Sequence, residues 1–195
     1  MIAVLQVNGF TDPSKVSHGG FGGVLKARCQ KEKGRVAIKI CIAEDKHSDA
    51  HRHEKTILEK LKVWHSQKPG PDNDGVQYVM KLLRTVDLKV MGSAFCMPLS
   101  CCDLQKMIDV GGFKSFKVRH GIYKRLLKGL AFLHSKDLAH RDLKPLNILL
   151  DEDCKPCITD FGLCNMTNAM NGTPGYRAPE TEAAPDRYLD LAQMK

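Results

Sequence analysis

The sequence predicts an α+β chain of two unlike lobes, in which a strand-rich front half precedes a helix-rich back half. Runs of β-branched residues dominate the front half, and apolar residues recur at helical spacing through most of the back half. The 195 residues suffice for one domain or for two small lobes. Hydrophobic residues make up 43% of the chain and charged residues 27%, which excludes a disordered acidic protein and a collagen-like one.

Four apolar segments of the front half predict strands. Residues 24–29 and 36–42 are rich in β-branched side chains, and the polar turn at 30–34 separates them. Residues 76–86 and 94–99 predict two further strands. These segments make the front half strand-rich.

One helix interrupts these strands. Ile57, Leu58 and Leu61 recur at helical spacing with charged residues between them, which predicts a helix over residues 48–64. Residues 68–75 hold two prolines and two glycines, and they predict a loop.

The helical period takes over in the back half. It predicts a short helix over residues 103–110 and a longer one over residues 116–135. Residues 147–150 and 155–159 predict two short strands on either side of a polar turn.

The net charge of +8, with histidine counted as neutral, favours anionic partners. The basic residues are dispersed, however, and no run of them alternates with aromatic residues, so we expect no nucleic-acid partner. No apolar run approaches the about 18 residues of a membrane span, and residues 1–10 do not resemble a secretory signal. We therefore expect no membrane association, a cytoplasmic or nuclear location, and eight cysteines that remain reduced thiols.

Lys39 and Glu54 are the first residues with a candidate chemical role. A lysine on a strand usually extends into water, and a glutamate on a helix is usually solvated, so neither residue is informative alone. As a pair, they predict that Glu54 orients Lys39 and that the lysine ammonium holds phosphate oxygens. A cluster of glycines at residues 19–23 precedes this strand, and glycine lets a backbone approach phosphates closely. A lone glycine-rich hairpin is most often a flexible turn, and it gains meaning here because Lys39 follows on the next strand.

Three ordered motifs in the back half are the most informative part of the sequence. They are HRDLKPLN at residues 140–147, DFG at residues 160–162 and GTPGYRAPE at residues 172–180. Phosphoryl transfer needs one carboxylate that accepts a hydroxyl proton and another that holds a divalent ion against the phosphates. Asp142 and Asp160 supply these carboxylates, and Asn147 supplies a neutral oxygen ligand. Oxygen ligands of this kind fit Mg²⁺.

This motif set, from Val16 to Glu180, resembles that of the eukaryotic protein kinase family in order and spacing. The resemblance implies a two-lobed kinase-like fold, with a strand-rich N-lobe that holds one helix at about residues 1–97. A hinge at 98–102 and an incomplete helical C-lobe at 103–195 complete a single partial kinase domain. The implied activity is transfer of the γ-phosphoryl group of ATP, with Mg²⁺, to Ser/Thr hydroxyls of a protein substrate.

The resemblance also assigns catalytic roles. It implies that Asp142 is the catalytic base, that Lys144 offsets phosphate charge and that Thr173 bridges these two residues. Asn147 and Asp160 are implied to hold magnesium.

The implied nucleotide site draws on strands, one helix and the hinge. Its residues are Val16, Ser17, Gly19, Gly22, Val24, Ala37, Lys39, Glu54, Met97, Pro98, Ser100, Asp103 and Leu149. Within this set, Met97 is expected at the back of the pocket, the backbone of residues 98–100 against adenine, and Asp103 near the ribose. Val24, Ala37 and Leu149 are expected to enclose the base.

Two residues indicate the acceptor class, because Lys144 and Thr173 match the serine/threonine form of the family. Arg141 beside the base resembles kinases that are controlled by phosphorylation of the activation segment, and Thr167 is the candidate acceptor there. Ser17 departs from the family pattern, which has glycine at this position.

The family continues with further helices after the segment that ends at Glu180, so we expect this chain to be a fragment with poor stability. The helix at 116–135 is then expected to expose apolar surface. The alternative function is a non-catalytic remnant that binds nucleotide or a partner.

A third interpretation is a zinc module. It rests on the CxxC spacing of Cys154 and Cys157, with the adjacent residues Cys101 and Cys102 and with His51 and His53. We expect ordinary packing roles for Cys154 and Cys157, because they lie around a strand turn just before Asp160.

Overall fold

The structure is a computed structural model that describes residues 2–19, 22–42, 48–68, 70, 73–89, 92–113, 115–166 and 172–183. The chain divides into two compact units. The first comprises Met1–Lys62 and Lys81–Ser100, and the second comprises Val63–Met80 and Cys101–Lys195.

The first unit is built on a five-stranded antiparallel sheet with the strand order β1-β2-β3-β5-β4. Its strands are β1 (Phe10–Gly19), β2 (Gly22–Cys29), β3 (Gly34–Ile42), β4 (Arg84–Asp87) and β5 (Gly92–Pro98). Helix α1 (Ile2–Val7) precedes the sheet, and helix α2 (Ser48–Ser66) connects β3 to the rest of the chain. The strand-rich character predicted for the front half is confirmed.

One face of this sheet carries the hydrophobic core of the unit. Side chains alternate between the two faces along a strand, and every second residue of β3, from Val36 to Ile40, is buried in the core cluster. Leu5 of α1 and Phe10 at the start of β1 are fully buried in the same cluster. The opposite face carries Lys39 and, through Phe95, contacts helix α2.

The second unit combines helices with a small sheet of strand order β6-β7-β8. Its strands are β6 (Cys102–Asp103), β7 (Ile148–Leu150) and β8 (Pro156–Ile158), and its helices are α3 (Leu104–Asp109), α4 (Phe116–Ser135) and α5 (Pro179–Ala183). Two short 3₁₀ segments, Asp74–Tyr78 and Pro145–Asn147, also belong to it. One side of α4 is buried, through residues that include Ile122, Leu126 and Leu133.

A close approach of backbones joins α4 to the 3₁₀ segment Asp74–Tyr78. A Cβ atom on Gly75 would lie 2.1 Å from the carbonyl oxygen of Lys128 and 2.6 Å from Cβ of Phe132. Gly75 therefore tolerates no side chain at this contact. Trp64, near the end of α2, meets Phe132 edge to face with ring centroids 5.8 Å apart.

Two differences from the sequence predictions are instructive. The strand predicted at residues 76–86 is wrong, because the 3₁₀ segment runs to Tyr78 and strand β4 begins only at Arg84. The apolar residues in between, such as Val79 and Leu82, are buried without forming a strand, and an apolar run alone does not distinguish these cases. Helix α1 was not predicted.

Two further properties concern the whole described part of the chain. None of the helices that the structure describes combines the length and the apolar character needed to cross a membrane. Within the described ranges, no three histidine, cysteine or acidic side chains gather as metal ligands. The cysteines and histidines of the zinc interpretation are therefore not brought together in such a group.

Candidate active site

Helix α2 brings Glu54 to Lys39 in the first unit. The Lys39 Nζ lies 2.7 Å from both Glu54 Oε1 and Glu54 Oε2, and the glutamate is 3% exposed. Two further contacts hold α2 on this face of the sheet. The His51 ring stacks on Phe95 with centroids 4.7 Å apart, and the Thr85 hydroxyl donates to Glu59 Oε1 at 2.8 Å.

The sheet face that carries Lys39 also carries other residues predicted for the nucleotide. Directly paired residues of neighbouring antiparallel strands share a face, and Lys39 pairs with Val24 while Ala37 pairs with Met97. Lys39 and Ala37 are two residues apart on β3, so all four residues share this face. It is the face opposite the hydrophobic core.

The predicted glycine loop coincides with the tip of the β1–β2 hairpin. Ser17 and Gly19 are the last positions of β1 that enter the pairing, and Gly19 pairs with Gly22. Residues 20 and 21 lie outside the described residues. Val16 is 52% exposed and lies where the register shifts between Lys15 and Ser17.

The residues predicted for the hinge and ribose lie at element ends. Pro98 ends β5 with an exposed side chain, and Ser100 is the last residue of the first unit. Asp103 belongs to the second unit and caps α3, because its Oδ1 accepts a hydrogen bond of 2.7 Å from the Lys106 backbone N–H. Asp103 pairs with Leu149, so these two side chains share a face of the small sheet.

Asp142 in the second unit is buried, and both oxygens of its carboxylate accept hydrogen bonds. Its Oδ2 accepts from Lys144 Nζ at 2.7 Å and from Asn147 Nδ2 at 2.9 Å. Its Oδ1 accepts from the Thr173 backbone N–H at 3.0 Å and from the Thr173 hydroxyl at 2.7 Å. Lys144 Nζ donates to the same hydroxyl at 2.6 Å, so the Thr173 hydroxyl bonds to both Asp142 and Lys144.

These bonds set the charge state of the carboxylate. Burial by itself would raise the pKa of Asp142, but hydrogen bonds from Lys144, Thr173 and Asn147 favour the ionised form. The net result is a pKa below its ordinary value. Asp142 is thus held as an oriented anion.

His140 lies beneath this network as a neutral imidazole. Its Nε2 is 2.8 Å from the Thr159 carbonyl oxygen, which can only accept, so Nε2 carries the proton. Its Nδ1 accepts from the Asp142 backbone N–H at 3.3 Å. Burial lowers the pKa of His140, which keeps the ring neutral, and the ring packs on fully buried Phe161 with centroids 5.2 Å apart.

Strand pairing brings Asn147 close to the segment that holds Asp160. Ile148 pairs with Ile158, and the Thr159 backbone N–H donates to the Asn147 carbonyl oxygen at 3.0 Å. Asp160 follows directly, with φ at +68°, a left-handed conformation that is uncommon outside glycine. Asn147 Nδ2 also donates to the Asp142 carbonyl oxygen at 2.8 Å. Both hydrogen bonds from Asn147 to Asp142 use the amide nitrogen, so neither of them occupies the side-chain oxygen of Asn147.

The segment after the DFG motif is connected to residues 137–141 by contacts that the sequence analysis did not predict. Asn165 Oδ1 accepts from the Ala139 backbone N–H at 2.6 Å, and Asn165 Nδ2 donates to the Asp137 carbonyl oxygen at 2.7 Å. A Cβ atom on Gly172, where φ is +100°, would lie 2.8 Å from the Arg141 carbonyl oxygen. In the sequence, the spacing of the motif around Gly172 was the one indication that this glycine lies close to the Arg141 backbone. Thr167 lies outside the described residues.

The comparison with known proteins agrees with this geometry. The family model of the protein kinase domain matches residues 10–188. The chain is 30% identical over 190 residues to mitogen-activated protein kinase pmk-1 of Caenorhabditis elegans, a match that covers 89% of this chain and 45% of that kinase. It is 33% identical over 172 residues to mitogen-activated protein kinase 13 of Mus musculus, with 86% and 45% covered.

A third relative is the serine/threonine-protein kinase fused of Drosophila melanogaster, which is 30% identical over 197 residues, with 95% of this chain and 23% of that kinase covered. The chain therefore spans less than half the length of these curated relatives. The family match nevertheless extends over both units and over every motif described above. The chain belongs to the protein kinase family, with the strand-rich unit and the helix-containing unit expected of its α+β fold.

Proposed function

We propose that the chain carries the catalytic segments of a serine/threonine protein kinase, which transfers the γ-phosphoryl group of ATP to a Ser or Thr hydroxyl of a protein substrate. The observation that carries this proposal is the Asp142 network. A buried carboxylate that stays ionised, oriented by Lys144, Asn147 and Thr173, suits a group that positions a hydroxyl, and its ionised oxygens are available for the proton as the new bond to phosphorus forms.

In the proposed reaction, the substrate hydroxyl hydrogen-bonds to Asp142. A new bond forms between the hydroxyl oxygen and the γ-phosphorus, and the bond from that phosphorus to the β-phosphate bridging oxygen breaks. The hydroxyl proton passes to Asp142, while the Lys144 ammonium offsets negative charge on the transferred group. Positioning and charge neutralisation supply most of the rate enhancement in such transfers.

The donor set fits magnesium. Asp160 supplies a carboxylate and Asn147 an amide oxygen, and both are the hard oxygen ligands that Mg²⁺ prefers. The Thr159 backbone N–H donates to the Asn147 carbonyl oxygen, and Asp160 follows Thr159 directly. This hydrogen bond supports a shared role for Asn147 and Asp160. Asp160 and Asn147 would hold such an ion, which would supply positive charge against the phosphates.

The nucleotide is proposed to rest on the sheet face that carries Lys39. Lys39, held by Glu54, would bind the α- and β-phosphates, and Val24, Ala37 and Met97 would contact the base. The backbone of Pro98 to Ser100, the Asp103 carboxylate and Leu149 complete the proposed nucleotide set, together with Val16, Ser17, Gly19 and Gly22 of the hairpin.

The acceptor class rests on Lys144 and Thr173, whose contact with Asp142 fits the serine/threonine form of the loop. A protein that binds nucleotide or a partner without phosphoryl transfer is the alternative. The Asp142 network favours catalysis, because binding alone does not require an oriented base.

The test is phosphoryl transfer from γ-labelled ATP, with magnesium, to a generic protein substrate rich in serine and threonine. Asp142→Asn keeps the shape of the side chain but cannot accept the proton, so we expect the rate to fall by at least about 100-fold. The matched control is Asp153→Asn, which removes an exposed carboxylate in the β7–β8 turn and should retain the wild-type rate. Equal background rates for the wild type and Asp142→Asn would establish the non-catalytic alternative instead.

A further inference from the structure

The hairpin of β2 and β3 carries a group of exposed cations that the proposed catalytic chemistry does not use. Residues 26–35 hold five lysines and arginines and one acidic residue. Lys26 and Arg28 on β2 and Arg35 on β3 are all exposed. The remaining two cations lie in the turn between these strands. We call Lys26, Arg28 and Arg35 the basic cluster.

Strand pairing places the basic cluster on one face of the sheet. Arg28 lies directly opposite Arg35, and directly paired residues share a face. Lys26 is two residues from Arg28 on β2, so its side chain lies on the same face. Val36, which follows Arg35, belongs to the hydrophobic core on the other face. The cluster therefore shares the face that carries Lys39, toward the opposite end of β3.

Two hydroxyl side chains of β1 border the basic cluster. Thr11 pairs with Arg28, which pairs with Arg35, so a row of three polar side chains crosses the sheet. Ser14 pairs with Lys26 in the next row on this face. Both hydroxyl side chains are exposed. One sheet face thus presents three cations and two hydroxyls, all of which can donate hydrogen bonds.

The two facing arginines repel each other, and the chain offsets this only in part. Like charges directly opposite in a sheet are destabilising. Among the residues that the structure describes, the one ion pair of the cluster joins Arg28 Nε to Asp12 Oδ2 at 3.7 Å. Its side chains are 65% and 79% exposed, so solvent screens the pair and a competing anion can replace Asp12. An excess of positive charge remains on the cluster.

We propose that the basic cluster binds a phosphorylated serine or threonine in an extended segment of a partner protein. A phosphomonoester carries about −1.5 to −2 charges at pH 7 and has three strong acceptor oxygens. The planar guanidinium groups of Arg28 and Arg35 match such oxygens two at a time. Lys26 adds a third cation, and the hydroxyls of Thr11 and Ser14 are further donors. One dianion between the arginines also relieves their repulsion.

The spacing and the neighbours of the cluster favour this occupant over others. Facing side chains of paired strands begin about 5 Å apart, so one compact dianion reaches both arginines, whereas a single carboxylate carries half the charge needed. Nucleic acid strands bind on aromatic side chains that stack with the bases, and membrane surfaces bind apolar side chains beside the cations. The bordering residues are Thr11, Ser14 and Ala37, which supply neither an aromatic ring nor a large apolar group.

The basic cluster is separate from the phosphate site proposed at Lys39. Four residue steps along β3 separate Arg35 from Lys39, which is about 13 Å in a strand. The phosphate of a partner protein and the phosphates of a nucleotide therefore occupy different ends of the same face. The proposal does not depend on phosphoryl transfer.

The test measures binding of a short fluorescent peptide, with one phosphoserine among glycines and alanines, by fluorescence anisotropy at low salt. We expect the wild-type chain to bind it with an affinity that falls as salt is added. A peptide with glutamate in place of phosphoserine should bind at least about tenfold more weakly, and one with serine should not bind. A non-hydrolysable ATP analogue with magnesium should not displace the phosphopeptide, because the two sites are separate.

Variants then locate the site. Arg35→Gln removes one of the two facing charges and should weaken binding of the phosphopeptide by at least about tenfold. Because this change also removes a repulsion, the urea midpoint of the variant should equal or exceed that of the wild type. Arg35→Lys keeps the charge but loses the two-pronged contact, so it should weaken binding less than Arg35→Gln.

A second variant has a control matched in charge. Lys26→Gln should weaken binding and reduce its salt dependence, because one cation facing the phosphate is lost. Lys62→Gln removes an exposed cation of α2 outside the cluster, and it should change neither quantity.

Several outcomes would overturn the proposal. They are absence of binding at about 1 mM phosphopeptide, equal binding of the glutamate peptide, displacement by the ATP analogue, and unchanged binding in Arg35→Gln. A lower urea midpoint for Arg35→Gln would give Arg35 a structural role instead. Tighter binding of a single-stranded oligonucleotide or of anionic vesicles, lost in Arg35→Gln, would assign the cluster to nucleic acid or to a membrane surface.

Discussion

His140 couples its own protonation to the position of the buried Asp142 carboxylate. Its Nδ1 accepts the Asp142 backbone N–H, and its Nε2–H donates to Thr159, the residue before Asp160. A protonated Nδ1 has no lone pair with which to accept that N–H. The neutral ring is therefore part of what fixes the position of Asp142.

This arrangement predicts a loss of stability in mild acid. Burial lowers the pKa of His140, although the Thr159 carbonyl and the carboxylates of Asp160 and Asp142 partly oppose this. The folded chain then binds fewer protons at this site than the unfolded chain, whose histidine pKa is about 6.5. Stability from the neutral ring is complete above that value and is lost as pH falls below it, by up to about 1.4 kcal/mol per pH unit.

The check is the free energy of unfolding from urea titrations at about pH 7.5 and about pH 5.5. His140→Phe removes the titrating group, so the variant should lose less stability than the wild type over this interval. His120→Phe, at an exposed site on α4, is the matched control and should follow the wild type. Identical pH dependence in the wild type and His140→Phe would contradict the assignment.

At the residue scale, the family resemblance led us to expect Lys144 and Thr173 beside Asp142. It gave Asn147 only as a magnesium ligand, and the hydrogen bond from Asn147 to Asp142 was not predicted. The motifs did not indicate that the Thr173 backbone N–H also donates to Asp142, because every residue except proline has a backbone N–H, whatever its side chain. Asn165 was missed because polar residues in loops are common and its partners depend on the fold.

At the level of single elements, the two glycines inside α4 experience different surroundings. A Cβ atom on Gly121 would have nothing within 4 Å. A Cβ atom on Gly129 would lie 3.1 Å from Ile158 Cδ1 and 3.2 Å from the Tyr78 carbonyl oxygen. At Gly129, α4 thus packs closely on β8 and on the 3₁₀ segment Asp74–Tyr78.

The pair yields opposite predictions for the same substitution. Gly121→Ala should stabilise the protein by about 0.5–1 kcal/mol, because alanine restricts the unfolded chain and favours helix. Gly129→Ala gains the same helix propensity, but the added methyl group overpacks a closed contact at a cost of about 1–3 kcal/mol, so it should destabilise the protein by about 0.5–2 kcal/mol. Urea midpoints compared with the wild type measure both effects. A destabilised Gly121→Ala, or a neutral Gly129→Ala, would contradict this account of the packing.

Elements with strong periodicity were predictable, and those defined by tertiary contacts were not. Residues 116–135 combine a long helical pattern with no proline, and α4 has these bounds. Helix α1 has only six residues, too few for a period to show, and its end is fixed by Asn8 Nδ2 donating to the Val4 carbonyl oxygen at 2.9 Å. Arg84, which begins β4 and is distant in sequence, also holds this end of the helix by donating to the Asn8 carbonyl oxygen at 2.8 Å.

At the scale of the whole molecule, the sequence predicted that the cysteines remain reduced thiols. The structure exposes these thiols to different extents. All eight cysteines are free thiols. Cys29, Cys41, Cys96 and Cys164 are buried, whereas Cys101 is exposed. Burial raises the pKa of Cys96 to about 12 and that of Cys157 to about 12, which disfavours the reactive thiolate at both.

We therefore expect Cys101 to be the fastest thiol in the native chain and all eight thiols to react after unfolding. Labelling at neutral pH with a chromogenic disulfide reagent should give a rapid phase from Cys101, because reactivity follows exposure and thiolate content. Cys101→Ser should remove that phase, whereas Cys157→Ser, at a thiol with a raised pKa, should leave it intact. Denaturant without reductant should then release the full count of eight. Fewer thiols under those conditions would reveal a disulfide, and rapid labelling of Cys96 would show that the core face of the sheet is open to solvent.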